Sequence, residues 1–197
     1  MKREIIAAAV LAVALATASA AQSTPAQPTP EPDVWIAPSH PIPTGQAPNI
    51  KVQLLGVNGK QKTYAVIFGK GDEILSGLTD FARQYHVTAA HFTAIGALSG
   101  AHLGWFNPEM KMYRQISIDT QVEVVSMLGD IALYKGNPVV HTHMVVGLRD
   151  GSTRAGHVLD AHVNPTLEVM VTVDPNAMHK RFDDTLGFTI IDPNTHE

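Results

Sequence analysis

The 197-residue chain contains no cysteine. That excludes disulfides, thiolate metal ligands and cysteine nucleophiles. Stability must come from packing, assembly or a metal site built from other donors. Positive charge is also scarce. Fourteen Lys+Arg face 18 Asp+Glu, for a formal net charge of −4. Setting aside the first twenty residues removes Lys2, Arg3 and Glu4, leaving 12 against 17, or −5. The cations are scattered, with no basic tract and no Arg-Gly-Arg-Pro arm. Nucleic-acid binding needs a concentrated positive surface, so this balance argues against it. A nucleophile elbow and a phosphate loop are missing as well. "GKGDE" (69–73) and "GALSG" (96–100) fit no phosphate-loop template and read as turns and tight packing.

There is one long apolar run, and it lies at the start. Lys2 and Arg3 precede "IIAAAVLAVALATASA", and Ala18-Ser19-Ala20 offers small residues for cleavage. Residues 1–20 therefore read as a secretory signal peptide. The run's length and its nearness to a processing site do not favour a permanent membrane span; an uncleaved anchor is the alternative. The expected location is secreted or periplasmic. Residues 21–50 are proline-rich and deny both helix and central strand, which suggests an extended linker or arm. Within it, Trp35-Ile36 either docks or stays free. Residues 51–192 read as one domain and 193–197 as a tail.

In that domain, "TYAVIF" (63–68) has the β-branched and aromatic character of a strand. In "DEILSGLTDFARQYH" (72–86), Ile74, Leu75, Leu78, Phe81 and Ala82 share one helical face. Asp72 suits the N-cap or first turn. Sheet follows. Residues 89–106 read as two strands divided near Ser99-Gly100, and "YRQISI" (113–118) as another. Residues 121–173 should hold at least four more. Breaks are expected at Gly129-Asp130, Gly136-Asn137-Pro138, Asp150-Gly151 and Asn164-Pro165. A short helix is expected within 176–187 and a last strand over 188–192. The fold class is α+β: a largely antiparallel meander with one or two flanking helices.

The segment "VVHTHMVVGLRDGSTRAGHVLDAH" (139–162) carries four of the ten histidines. Strand alternation points His141 and His143 the same way. Residues 149–151 look like a three-residue hairpin loop with Gly151 in the left-handed conformation. Paired residue numbers then sum to 300, and His143 faces His157. Three neutral imidazoles suit zinc or a similar divalent ion, with a fourth position left for water or a small anionic ligand. A metal-free polar pocket and purely structural histidines are the alternatives. His162, five positions beyond His157, should face away unless the strand bulges. Glu168 reads either as an edge residue facing solvent or as the carboxylate that could activate a bound water or orient an imidazole. Glu168 and His162 are thus the candidate proton-handling residues. His91 and His102 lie on earlier strands.

The ordered pieces "AIGALSGAHLGWFNPEMKMY" (94–113), "VEVVSMLGDIAL" (122–133), "PVVHTHMVVGLRDG" (138–151), "AGHVLDAHVNPTLEVMV" (155–171) and "LGFTII" (186–191) resemble the PPC (plant and prokaryote conserved) domain family. That resemblance implies an antiparallel sheet with flanking helices, assembled as a homotrimer. It also implies a metal pattern whose positions match His141, His143 and His157. In plant members the domain follows AT-hook arms that bind A·T-rich DNA. This chain has no such arm, so a DNA-binding label would be inherited from fold-level analogy. The expected role is an exported, metal-binding domain that takes a small ligand or scaffolds through a trimer. The alternative is a metal-dependent hydrolase or lyase acting on a small metabolite.

Overall fold

The computed structural model describes residues 32–38 and 42–195; the expected signal peptide lies outside them. Strand β1 is Trp35–Ile36, β2 Lys51–Asn58 and β3 Gln61–Phe68. Helix α1 spans Ile74–Gln84. Strands β4 (Ala89–Asn107), β5 (Met112–Ile118), β6 (Val122–Tyr134), β7 (Asn137–Gly147) and β8 (Thr153–Val173) follow. A separate hairpin, β9 (Lys180–Asp183) and β10 (Phe188–Ile191), ends the fold. Among the described residues this is an α+β architecture with a mainly antiparallel sheet and one helix.

The eight-stranded sheet runs β1-β5-β4-β6-β7-β8-β3-β2, and β4 also pairs with β8. Strands β4, β6, β7 and β8 thus form a closed ring of pairings. Long strands make this closure possible: β4 has 19 residues and β8 has 21. Both are longer than expected, because each absorbs its irregularities as bulges. The break expected at Ser99-Gly100 is one such shift in the β4–β8 register, and β4 continues through it. Asn164-Pro165-Thr166 lie in another, between Val163 and Leu167, inside β8. Gly129 makes no turn either. A Cβ there would sit 2.2 Å from the Phe92 ring and 2.5 Å from the His141 carbonyl oxygen. The glycine leaves room for Phe92 in the ring's packing, and β6 runs on through Asp130. Residues 121–173 therefore hold three long strands instead of four or more short ones.

The apolar face of α1 forms as its spacing predicts, with Ile74, Leu75, Leu78, Phe81 and Ala82 all buried. Tyr64 and Phe81 meet edge to face, centroids 5.5 Å apart. The N-cap is Glu73, one residue later than expected. Its carboxylate accepts from Leu75 N (3.1 Å) and Ser76 N (2.6 Å), and reaches Ala161 N on β8 (3.3 Å). Burial raises the Glu73 pKa, against the pull of these hydrogen bonds. Asp72 turns back instead and accepts from Gly69 N and Asn49 N.

The expected linker contributes to the fold. Trp35 and Ile36 pair with Arg114 and Tyr113 on the β5 edge. Gln46 N donates to Ser76 Oγ, and Ala47 is buried. Chain from Asp33 onward belongs to one compact unit, so packing begins before Lys51. The helix expected within 176–187 is absent: part of that stretch pairs with 188–191 as the β9–β10 hairpin.

Candidate metal centre

On β7 the even residues Val140, Thr142, Met144 and Val146 are buried. Alternation therefore places His141 and His143 together on the opposite face. The turn after β7 forms as expected. Leu148 N donates to Ser152 O (2.8 Å), Gly151 N donates to Leu148 O (2.9 Å), and Gly151 has φ +81°. His143 consequently stands opposite His157. Ring centroids are 5.2 Å apart for His141–His143, 5.3 Å for His141–His157 and 5.2 Å for His143–His157. One nitrogen from each ring lies within 4.8 Å of the other two.

Two neighbours fix these rings. Asp130 stands opposite His141 across β6 and β7, with Oδ2 3.2 Å from His141 Nδ1. The proton on Nδ1 donates to this carboxylate, which leaves Nε2 with the lone pair a metal needs. Lys180 on β9 closes from the other side, its Nζ 3.3 Å from Asp130 Oδ1. Burial works to raise the Asp130 pKa. The His141 hydrogen bond and the Lys180 charge together outweigh it and hold the carboxyl below its usual value. The second neighbour is Tyr113, stacked on His157 at 4.6 Å and 8° between planes. Gly104, opposite His157 on β4, makes the space; a Cβ there would meet the Tyr113 ring at 2.8 Å. Burial, then the adjacent His141, lowers the His143 pKa. That keeps its imidazole neutral, the form that coordinates.

His141 and His157 also line a cavity of ≈ 890 Å³, walled by residues of β6, β7, α1 and the β9–β10 hairpin. This is the size of small-molecule sites.

Sequence reasoning brings the three histidines together; it does not do so for the two proton-handling candidates. Glu168 is exposed, opposite Ile67 and Ile95, eleven residues beyond His157 on β8. That is roughly 35 Å of strand. His162 is exposed opposite Gly100 and bridges to Glu73. Both lie on their strand well away from the cluster in this chain. His102 pairs with Asp160 at 2.9 Å and His91 with Asp174 at 3.3 Å, and neither is one of the three clustered histidines. The carboxylate that does reach the cluster, Asp130, is hidden in the sequence because Gly129-Asp130 reads as a turn. A signal existed. Gly136 in the sequence suits a two-residue hairpin loop, and in the structure Lys135 and Gly136 both take the positive φ of such a loop. That loop pairs Tyr134 with Asn137 and, counting back, Asp130 with His141.

The model of the Plants and Prokaryotes Conserved (PCC) domain matches residues 56–174, more than half of the chain. The chain belongs to the PCC-domain family. Solved structures agree with this. A candidate DNA-binding protein from Bacteroides thetaiotaomicron is 26% identical, with TM-score 0.66 over 73% of this chain and 96% of that one. A plant- and prokaryote-conserved protein from Pyrococcus horikoshii is 23% identical (TM-score 0.64, 72% and 100% covered). A metal-containing protein from Archaeoglobus fulgidus is 24% identical (TM-score 0.62, 72% and 96% covered). No curated protein matches the chain. The PCC domain here thus combines its fold with a three-histidine cluster capable of holding a metal ion.

Proposed function

We propose that this PCC-domain protein is an exported metalloprotein in which His141, His143 and His157 hold one divalent ion, zinc by preference. The observation that carries this is the mutual approach of three donor nitrogens within 4.8 Å on one face. The donor chemistry fits: neutral imidazoles, one of them oriented by a carboxylate, are the ordinary surroundings of zinc. The name of the Archaeoglobus relative as metal-containing points the same way. Three ligands leave a position for water or a small anion, and a bound ion there would act as a Lewis acid.

Ligand binding is the favoured role over hydrolase or lyase chemistry. The carboxylate nearest the cluster is engaged by both His141 and Lys180, and Glu168 and His162 stand elsewhere. DNA binding, suggested by the Bacteroides relative's name, sits poorly with a net charge of −4.

Assembly as a homotrimer is part of the same proposal. An exposed row runs across the strands from His143 through Leu128 and Thr93 to Met170. Leu128 is 58% exposed, and neighbouring Ile95 is 62% exposed. Apolar side chains concentrated on a sheet face suit burial against another copy.

Elemental analysis of the purified protein beside His141→Ala, His143→Ala and His157→Ala tests the site. About one ion per chain is expected in the wild type, with most of it lost from each variant. Full occupancy in all three variants would sink the proposal.

A further inference from the structure

The ligand class can be read from what faces the cavity beside the histidines. Its charged lining is unbalanced. Lys180 and Arg83 are cationic, and Asp130 is the one carboxylate among the described lining residues. Asp130 is already shared between Lys180 and His141. Lys180 itself is 3% exposed at the side chain, with three donors on its ammonium and Asp130 as its carboxylate partner. A buried lysine facing a cavity is costly to desolvate, and an incoming anion would relieve that cost. The rest of the wall is mainly apolar and aromatic, with Thr79 and Thr189 as its short polar side chains. Tyr134 comes from β6, Phe182 from β9, and Phe188 and Ile190 from β10. Phe188 is braced edge to face on Phe106, centroids 5.1 Å apart, so this side of the cavity is a supported surface.

We propose that this cavity receives a small monocarboxylate with an apolar, aromatic-sized body. The carboxylate lies at the inner end, between the Lys180 ammonium and the open position at the histidines. The body lies against Phe182, Phe188 and Ile190. This deepens the metal-binding proposal above and rests on it. Three features separate the class from its neighbours. An amino acid would bring an ammonium with no free carboxylate to meet it. A phosphate would need several converging donors, and the wall is mainly hydrocarbon. The helix N-terminus cannot serve, because Glu73 already caps it. An uncharged apolar molecule would leave the lining's surplus positive charge, two cations against one carboxylate, unanswered.

The test uses the full chain loaded with zinc, its metal content measured, and titration calorimetry with five probes. They are 3-phenylpropionate, 3-phenylpropanol, acetate, L-phenylalanine and inorganic phosphate. Saturable 3-phenylpropionate binding, at least tenfold tighter than any other probe, is expected. EDTA stripping should weaken it by a similar factor. Phe188→Ala changes the body-binding wall without touching the histidines, and should weaken 3-phenylpropionate several-fold while leaving zinc content at the wild-type level. Lys180→Met, checked for folding by circular dichroism, should narrow the gap between acid and alcohol. If it does not fold, the Phe188→Ala result decides. Zinc-loaded protein that ignores 3-phenylpropionate, binds the alcohol equally well, or is indifferent to Phe188→Ala overturns the ligand class and leaves the metal site standing. Wild-type protein that takes up no zinc defeats the metal-binding proposal, and this one with it.

Discussion

Replacing Asp130 with Asn tests how the cluster is held. The change keeps the size and one acceptor oxygen but removes the charge. Lys180, 3% exposed, then loses its carboxylate, and His141 loses a charged acceptor for Nδ1–H. Breaking a buried ion pair on one side costs about 3–5 kcal/mol. Asp130 is 24% exposed, so water restores part of the loss and about 2–3 kcal/mol is the reasonable figure. For a domain of this size each kcal/mol moves Tm by about 2–4 °C. The metal-free Asp130→Asn protein should therefore melt roughly 4–12 °C lower by calorimetry. Zinc affinity, measured by competition with a chromogenic chelator, should fall about 10–100-fold as His141 loses its orienting partner. The double variant Asp130→Asn with Lys180→Met should recover most of the Tm, because it removes both buried charges, but not the zinc affinity. A single variant that melts within 1 °C of wild type with unchanged zinc affinity refutes the reasoning. So does a double variant no more stable than Asp130→Asn.

Zinc should stabilise by mass action. At a free concentration a hundred times Kd the gain is about 2.7 kcal/mol, so EDTA should lower the wild-type Tm and leave His143→Ala unmoved. Glu73 gives a pH signature. Its folded pKa is raised above the unfolded value, so its contribution to stability is full below the unfolded pKa and lost as pH rises through the folded one. Glu73→Gln removes that slope. Urea denaturation across pH 4–8 should show the variant gaining on wild type as pH rises, and a constant difference would count against it. Leu128→Glu with Met170→Glu places charge in the exposed row. Light scattering should report a smaller assembly with the fold intact by circular dichroism; an unchanged mass would remove this face from the interface.

The parts of this fold that were legible in sequence depend on short-range rules. The helical face of α1 follows from spacing. The meeting of His143 and His157 follows from alternation plus one tight turn, since a turn sets register over the residues nearest to it. What was misread depends on distant neighbours. Gly129 and the Asn164-Pro165 pair carry turn chemistry, but their surroundings overrule it. Phe92 needs the space at Gly129, and the β4–β8 pairing carries the chain past Pro165 as a bulge. The linker looked unstructured because prolines dominate it, yet Trp35-Ile36 completes the β5 edge and Ala47 packs on α1. Lys180 sits in a polar stretch, and its burial against Asp130 comes only from the docking of β9, fifty residues away. Its part in the site had no local sign.

The pairing of β4 with β8 has a kinetic side. These strands make more contact with each other than any other pair does, and some fifty residues of chain separate them. Closing the ring is therefore a high-contact-order event, which is expected to come late in folding. The three histidines, by contrast, all fall on the single hairpin of β7 and β8, sixteen residues from first to last. Hairpins of that span form in microseconds, well ahead of ring closure. The candidate metal ligands are thus assembled by the part of the chain that needs no distant partner. An ion captured there would pin the β7–β8 register before the longest strands have to find each other.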